Sequence, residues 1–323
     1  MPSWRSASPT STSFRAVPED VVTNTPQRLW QHWLGASRPR TLWVAVVPVL
    51  VGTALADADT GRISWAVFAV TLLAALLIQV GTNLHNDVAD FERGADDPVT
   101  RLGPRRATAE GWLSPAAVKR AAVLAFSAAG LLGLWLAWIG GWPILAIGIA
   151  SIICAWGYSG GVRPIAYSAL GEVFVWIFFG LVAVAGSYYL QAGRFDAVAL
   201  LAGGLLGMPA AAVLAVNNYR DSENDARAGR RTFAVVFGPG VSRVEYGLLM
   251  LLPFTVLPLL ALDGGRGWLW PLLTLPWAML LVRRFLLEPV GPAFNKLLGD
   301  TARLQFVYGL LMCVGVYLGG LRG

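Results

Sequence analysis

Charge is what this chain has least of. Lys, Arg, Asp and Glu make up 14% of its 323 residues against 56% hydrophobic ones, and mean hydropathy is +0.58. Soluble domains carry roughly 25% charged residues, so an ordinary water-soluble fold is excluded and a bilayer protein is indicated. Cysteine and histidine are nearly absent. Cys154 and Cys313 both fall in apolar segments without C-x-x-C spacing, which argues against a disulfide framework or a cysteine zinc site. His32 and His85 are too few for a histidine metal centre. The alternation and frequent turns of an outer-membrane barrel are also missing, which leaves an α-helical bundle. The first 27 residues, rich in Ser, Thr, Pro and Arg, lack the apolar core of a secretory signal. Residues 1–35 are therefore expected to form a disordered cytoplasmic leader, and 36–323 a transmembrane domain.

Long apolar runs are what the chain has instead. They fall at roughly 41–57, 64–83, 117–139, 143–159, 169–190, 197–217, 244–262, 268–282 and 304–320, predicting an all-α polytopic bundle of about nine transmembrane helices. With the N-terminus inside, 21 of the 25 Lys and Arg residues lie on the inner side; Arg62, Arg194, Arg266 and Arg322 lie outside. That asymmetry orients the chain N-in and C-out. It also makes the net charge of +6 a topological signal rather than a nucleic-acid footprint.

The second and sixth runs end alike, in NLHNDVADFERGADDP and NNYRDSENDARAGRRT. Asn83 and Asp87 are four residues apart, as are Asn86 and Asp90; Asn217, Asp221 and Asp225 follow at the same interval. On continuing helices each set forms a face. Equal helix parity puts both faces on the cytoplasmic side, and the four-helix offset hints at duplication. Converging carboxylates repel unless a cation separates them, and Asn and Asp oxygens suit Mg²⁺. Arg93, Arg101, Arg105 and Arg106 follow the first cluster; Arg227, Arg230 and Arg231 follow the second. Guanidinium forks recognise phosphate, so the pattern describes a metal-diphosphate clamp.

These residues resemble the UbiA superfamily of intramembrane prenyltransferases, whose helices 2 and 6 carry N-D-x-x-D-x-x-x-D and D-x-x-x-D. Asn86, Asp87 and Asp90 match the first motif, and Asp221 and Asp225 the second. Gly94 stands where the first motif ends in Asp, with Asp96 or Asp97 as candidate substitutes. SRPRTL (37–42), NLHNDVADFERGAD (83–96), RLGPRRAT (101–108), YSGGVRPIAYSALGE (158–172) and NNYRDSENDARAGRRTFAVVFG (217–238) resemble, in order, the 1,4-dihydroxy-2-naphthoate prenyltransferase branch. The likeness runs from about residue 35 to the C-terminus.

The resemblance implies Mg²⁺-assisted transfer of a polyprenyl group from its diphosphate to 1,4-dihydroxy-2-naphthoate, with loss of CO₂, in a bacterial cytoplasmic membrane. It requires no protein partner and no nucleic acid. It places Asn83, Asn86, Asp87, Asp90, Asn217 or Asn218, Asp221 and Asp225 on the metal, and Arg93, Arg101, Arg163, Arg227 and Arg230 on the diphosphate. Tyr158 would face the diphosphate too. Glu172, a carboxylate one turn into an apolar helix, costs on the order of 2.5–3.5 kcal/mol unless partnered. The resemblance makes it the contact or base for the aromatic acceptor. Phe174, Trp176, Phe178 and Phe179 are candidates for the prenyl groove, and His85 faces elsewhere. Acceptors such as 4-hydroxybenzoate or homogentisate fit the same motifs. An ion-coupled transporter is the alternative of another class, although it would place its charges near mid-span.

Overall fold

The structure, a computed structural model, describes residues 26–95 and 101–319, with no side-chain description for residues 26–28 and Asp263. Residues 1–25 of the expected leader, Asp96, Asp97 and Arg322 lie outside the described residues. Among the described residues, nine helical segments are long and apolar enough to cross a membrane, and none of the chain is strand.

A short α1 (Pro26–Ser37) precedes α2 (Pro39–Thr60), α3 (Trp65–Glu92), α4 (Pro115–Gly140) and α5 (Trp142–Ser159). The fifth span joins α6 (Gly171–Trp176), a π-helical segment (Ile177–Val182) and α7 (Ala183–Ala192). The last four comprise α8 (Ala197–Arg227), α9 (Phe233–Gly264), α10 (Leu275–Leu287) with a 3₁₀ lead-in from Arg266, and α11 (Ala293–Gly319). The local signals are ordinary. Ser64, Ser114 and Asp196 accept the first free N–H groups of α3, α4 and α8, and prolines open α2, α4 and α5.

One expectation needs correcting. Most of α1 falls within the supposed leader. Its Trp33 and Ala36 pack on Leu84, Val88, Leu113 and Val118, while His32 stacks on Trp112 at 4.7 Å. The segment has an apolar side with a surface to cover, so its last ten residues are helical.

Two long helices end in the acidic clusters. At 1.5 Å per residue, α3 is about 42 Å long and α8 about 46 Å, against a hydrocarbon core of roughly 30 Å. Their last turns carry the acidic clusters as helix, not loop. The π segment lies where the fifth span crosses α8. A Cβ on Gly180 would stand 2.5 Å from the Gly203 carbonyl oxygen and 2.7 Å from the Gly207 Cα. Only glycines allow backbones so close, as in small-residue helix pairs in membranes. The largest core cluster, around Tyr188, Leu206, Tyr246, Phe285 and Tyr308, joins α2, α7, α8, α9, α10 and α11. The α3–α5 side is more loosely filled, and there the cavity opens.

Candidate active site

A cavity of about 720 Å³ runs beside α3, bounded by α2, α4, α5, the fifth span and α8. Thr71 and Asp90 both line it, so it follows α3 for about 28 Å. Its body is apolar, with Ala74, Ile78, Leu134, Ile147, Phe174, Phe178 and Phe179 among its walls. Its charged lining residues are Arg38, Asp90, Arg106 and Arg230, gathered at the head together with Asn83, Asn86, Tyr158, Asn217 and Asn218. Trp176 is not part of the wall; its indole N–H donates to the Gly204 carbonyl at 2.9 Å.

Asp90 is the centre of the head. It is 3% exposed and pairs with Arg106 Nη2 at 2.9 Å and with Arg230 Nη2. Arg230 also reaches Asp225 at 3.4 Å. Burial opposes the Arg230 charge, but the Asp90 and Asp225 carboxylates outweigh it, and the guanidinium is held above its ordinary range. Its Nε has no hydrogen-bond partner among the described residues. Tyr167 stacks between two guanidiniums, 5.3 Å from Arg93 and 5.0 Å from Arg230. The backbone N–H of Arg231 donates to the Tyr167 carbonyl at 3.2 Å, tying the α5–α6 loop to the α8–α9 loop.

The other predicted residues divide. Asn83 donates to the Ser37 carbonyl at 2.9 Å and so fixes the α1–α2 junction, where Arg38 adopts a left-handed φ of 53°. Asn86 accepts from the Ser159 hydroxyl at 2.5 Å. Asp87 is 2% exposed and does not line the cavity, because both its carboxylate oxygens bind the segment at Ala107 and Thr108. Asp221 forms a two-point pair with Arg220, at 2.8 Å and 2.6 Å. Glu172 is buried; one oxygen accepts from Asn218 Nδ2 at 2.7 Å, and the other has no partner among the described residues.

Four of the expected diphosphate arginines are not at the head. Arg93 donates to the Ser159 and Gly161 carbonyls, anchoring the loop after α5. Arg101 donates to Pro104 in its own loop. Arg163 is exposed, and Arg227 makes an exposed pair with Glu223 at 3.6 Å. Arg230, by contrast, is drawn to the buried Asp90 carboxylate. His85 stacks on Trp156 at 4.1 Å and does not line the cavity.

Sequence reading also missed residues. Arg106, one of the basic group after the first acidic cluster, enters the head. Arg220, Ser159 and Tyr167 went unassigned, although each stands inside a segment rich in site residues. Gly94 ends α3 with φ +65°; its N–H bonds to Phe91, and that of Ala95 to Asp90. The departure from the first motif thus falls at a helix terminator, just past the end of the helical face.

The oxygen donors at the head suit Mg²⁺. Among the described residues no three of His, Cys, Asp and Glu converge into a closed cage.

The sequence profile of the UbiA prenyltransferase family matches residues 45–291. A 1,4-dihydroxy-2-naphthoate octaprenyltransferase of Mycobacterium leprae (strain TN) is 33% identical over 289 residues, covering 90% of this chain and 97% of its own. The enzyme of that name from Escherichia coli (strain K12) is 34% identical over 297 residues, covering 89% and 96%. Among solved structures, a UbiA homolog from Archaeoglobus fulgidus bound to DMAPP and Mg²⁺ shares the fold at TM-score 0.62 and 16% identity, covering 87% of this chain and 99% of that one.

Proposed function

Because the chain belongs to the UbiA prenyltransferase family, we propose that it transfers a polyprenyl group from polyprenyl diphosphate to 1,4-dihydroxy-2-naphthoate, releasing CO₂ and diphosphate to give the prenylated 1,4-naphthoquinol, demethylmenaquinol, the reduced form of demethylmenaquinone. The observation that carries this reading is one elongated cavity with charge only at its head and a largely apolar body that follows α3. A diphosphate joined to a polyprenyl chain has the same division. An ion path would instead need polar groups with charge along its length. The names and coverage of the bacterial relatives support the naphthoate as acceptor.

The chain's own work is electrostatic. Arg106 and Arg230, already buried against Asp90, offer guanidinium donors to the diphosphate oxygens. Charge is thereby placed where the leaving group develops it, in a site shielded from water. Asn86, Asp90 and Asn217 at the head would hold Mg²⁺, with Asn83 and Asn218 beside them and Asp225 and Asp221 behind. Bound with the diphosphate, the ion adds the positive charge that favours cleavage of the allylic C–O bond. Tyr158 faces the leaving group from α5. Glu172, oriented by Asn218, accepts the hydrogen bond of an acceptor hydroxyl through its unpartnered oxygen, keeping the ring electron-rich toward the allylic carbon. Phe174, Phe178 and Phe179 line the route of the prenyl tail. The asymmetry of the basic residues supports a head on the inner side of the membrane, N-in and C-out.

The test is direct. The purified protein in liposomes receives a polyprenyl diphosphate, Mg²⁺ and either 1,4-dihydroxy-2-naphthoate or 4-hydroxybenzoate, and products are weighed by mass spectrometry. The expected result is prenylated, decarboxylated naphthoate, abolished by EDTA. Product from 4-hydroxybenzoate alone would overturn the acceptor, and no product from either would overturn the reaction.

A further inference from the structure

The segment 101–113 crosses the polar end of the bundle as a strap, fastened at three places. Asn295 Nδ2 donates to the Leu102 carbonyl at 2.9 Å. At Gly103 the strap lies against buried Arg220; an added Cβ would stand 2.7 Å from its Nη2. The third fastening is Asp87. Its Oδ2 accepts from Ala107 N and its Oδ1 from Thr108 N, each at 3.1 Å. The Thr108 hydroxyl lies within hydrogen-bond reach of Asp87 Oδ1 and, at 3.1 Å, of the Asp87 backbone carbonyl. Arg106, immediately before the clamped pair, reaches 2.9 Å from Asp90 at the cavity head. A carboxylate with both oxygens aimed at backbone N–H groups has little left for a cation, and it does not line the cavity.

We propose that Asp87 is a positioning residue: it fixes the strap at Ala107 and Thr108 and thereby seats Arg106 against Asp90, where Arg106 receives the diphosphate. This rests on the proposed reaction, but the mechanical part stands apart from it. The chemistry requires an acceptor on both oxygens. An Asn in place of Asp87 would turn an NH₂ toward one of the two strap N–H groups, leaving that donor unpaired. A metal ligand and a strap clamp therefore both suffer from Asp87→Asn, whereas only the clamp suffers from removal of the Thr108 hydroxyl.

The experiment uses the full-length protein in detergent with four variants, Asp87→Asn, Thr108→Val, Thr108→Ser and the double variant Asp87→Asn/Thr108→Val. Limited tryptic cleavage after Arg105, which is 73% exposed in the strap, is followed without substrate or metal. The KM for a polyprenyl diphosphate and the half-saturating Mg²⁺ concentration are measured separately. Asp87→Asn and Thr108→Val are expected to speed cleavage and raise KM by about tenfold, the scale of a lost hydrogen bond to a charged group. Their half-saturation by Mg²⁺ should stay unchanged, and Thr108→Ser should match the unmodified protein. The double variant should add little to either single one. A Mg²⁺ requirement raised in Asp87→Asn, with cleavage unchanged and Thr108→Val normal, would make Asp87 a ligand and overturn the proposal. Normal cleavage in both variants would overturn it equally. Should the protein transfer no prenyl group at all, the cleavage rates still decide the clamp while the proposed reaction falls.

Discussion

The acidic ends of α3 and α8 look like duplicates in sequence, but the fold uses them differently. At the end of α3 the partners come from afar: Asp87 takes its donors 20 and 21 residues on, and Asp90 takes arginines 16 and 140 residues away. At the end of α8 they are local, with Asp221 paired to the adjacent Arg220 and Asp225 to Arg230 just after the helix. The first cluster therefore organises tertiary structure, drawing two loops and their arginines over the cavity. The second arrives largely neutralised. Similar motifs have diverged in the sequence distance of their counter-ions, and that distance determines which cluster gathers the site.

Substitutions can break this comparison. The largest effect is expected from Asp90→Asn, which leaves Arg106 and Arg230 buried without their shared carboxylate. Loss of one member of a buried pair costs about 3–5 kcal/mol. Initial rates should fall by about a thousandfold or more and the melting temperature should drop, both measured on purified protein; a rate within tenfold of normal would remove Asp90 from the centre of the head. Asp221→Asn should cost less. Arg220 keeps Asn217 at 2.9 Å and Asn295 at 2.7 Å, so a loss of about tenfold in rate is expected, on the scale of one charged hydrogen bond. If it matched Asp90→Asn, the two clusters would be equivalent after all. The smallest effect belongs to Arg227→Gln, since an exposed pair contributes about 0–1 kcal/mol at most; steady-state rates should stay within about twofold. A clear rise in KM would return Arg227 to the diphosphate site.

Much of this was legible in the chain. Apolar runs and capping residues mark the spans, and i, i+4 spacing marks the faces, because both depend on neighbours a few residues away. The helical ends of α3 and α8 were less legible, since the apolar run stops before the helix does. Arg93 and Arg230 could not be told apart as sequence: both are arginines just after an acidic helix end. One meets backbone carbonyls and the other a buried carboxylate, and only packing makes that distinction.

Sequence by itself determined an all-α membrane bundle, the position of its spans, the two acidic faces and the resemblance to a prenyl-transferring family. These follow from hydropathy, helical period and motif, which are properties of short stretches. Tertiary structure alone decided that Asp90 faces the cavity while its near neighbour Asp87 holds a strap, and that Arg106 and Arg230 enter where Arg163 and Arg227 do not. The reason is that a buried charge is stabilised by whichever opposite charge or N–H group the fold brings within about 3 Å, and at the end of α3 those groups lie 16 to 140 residues away along the chain.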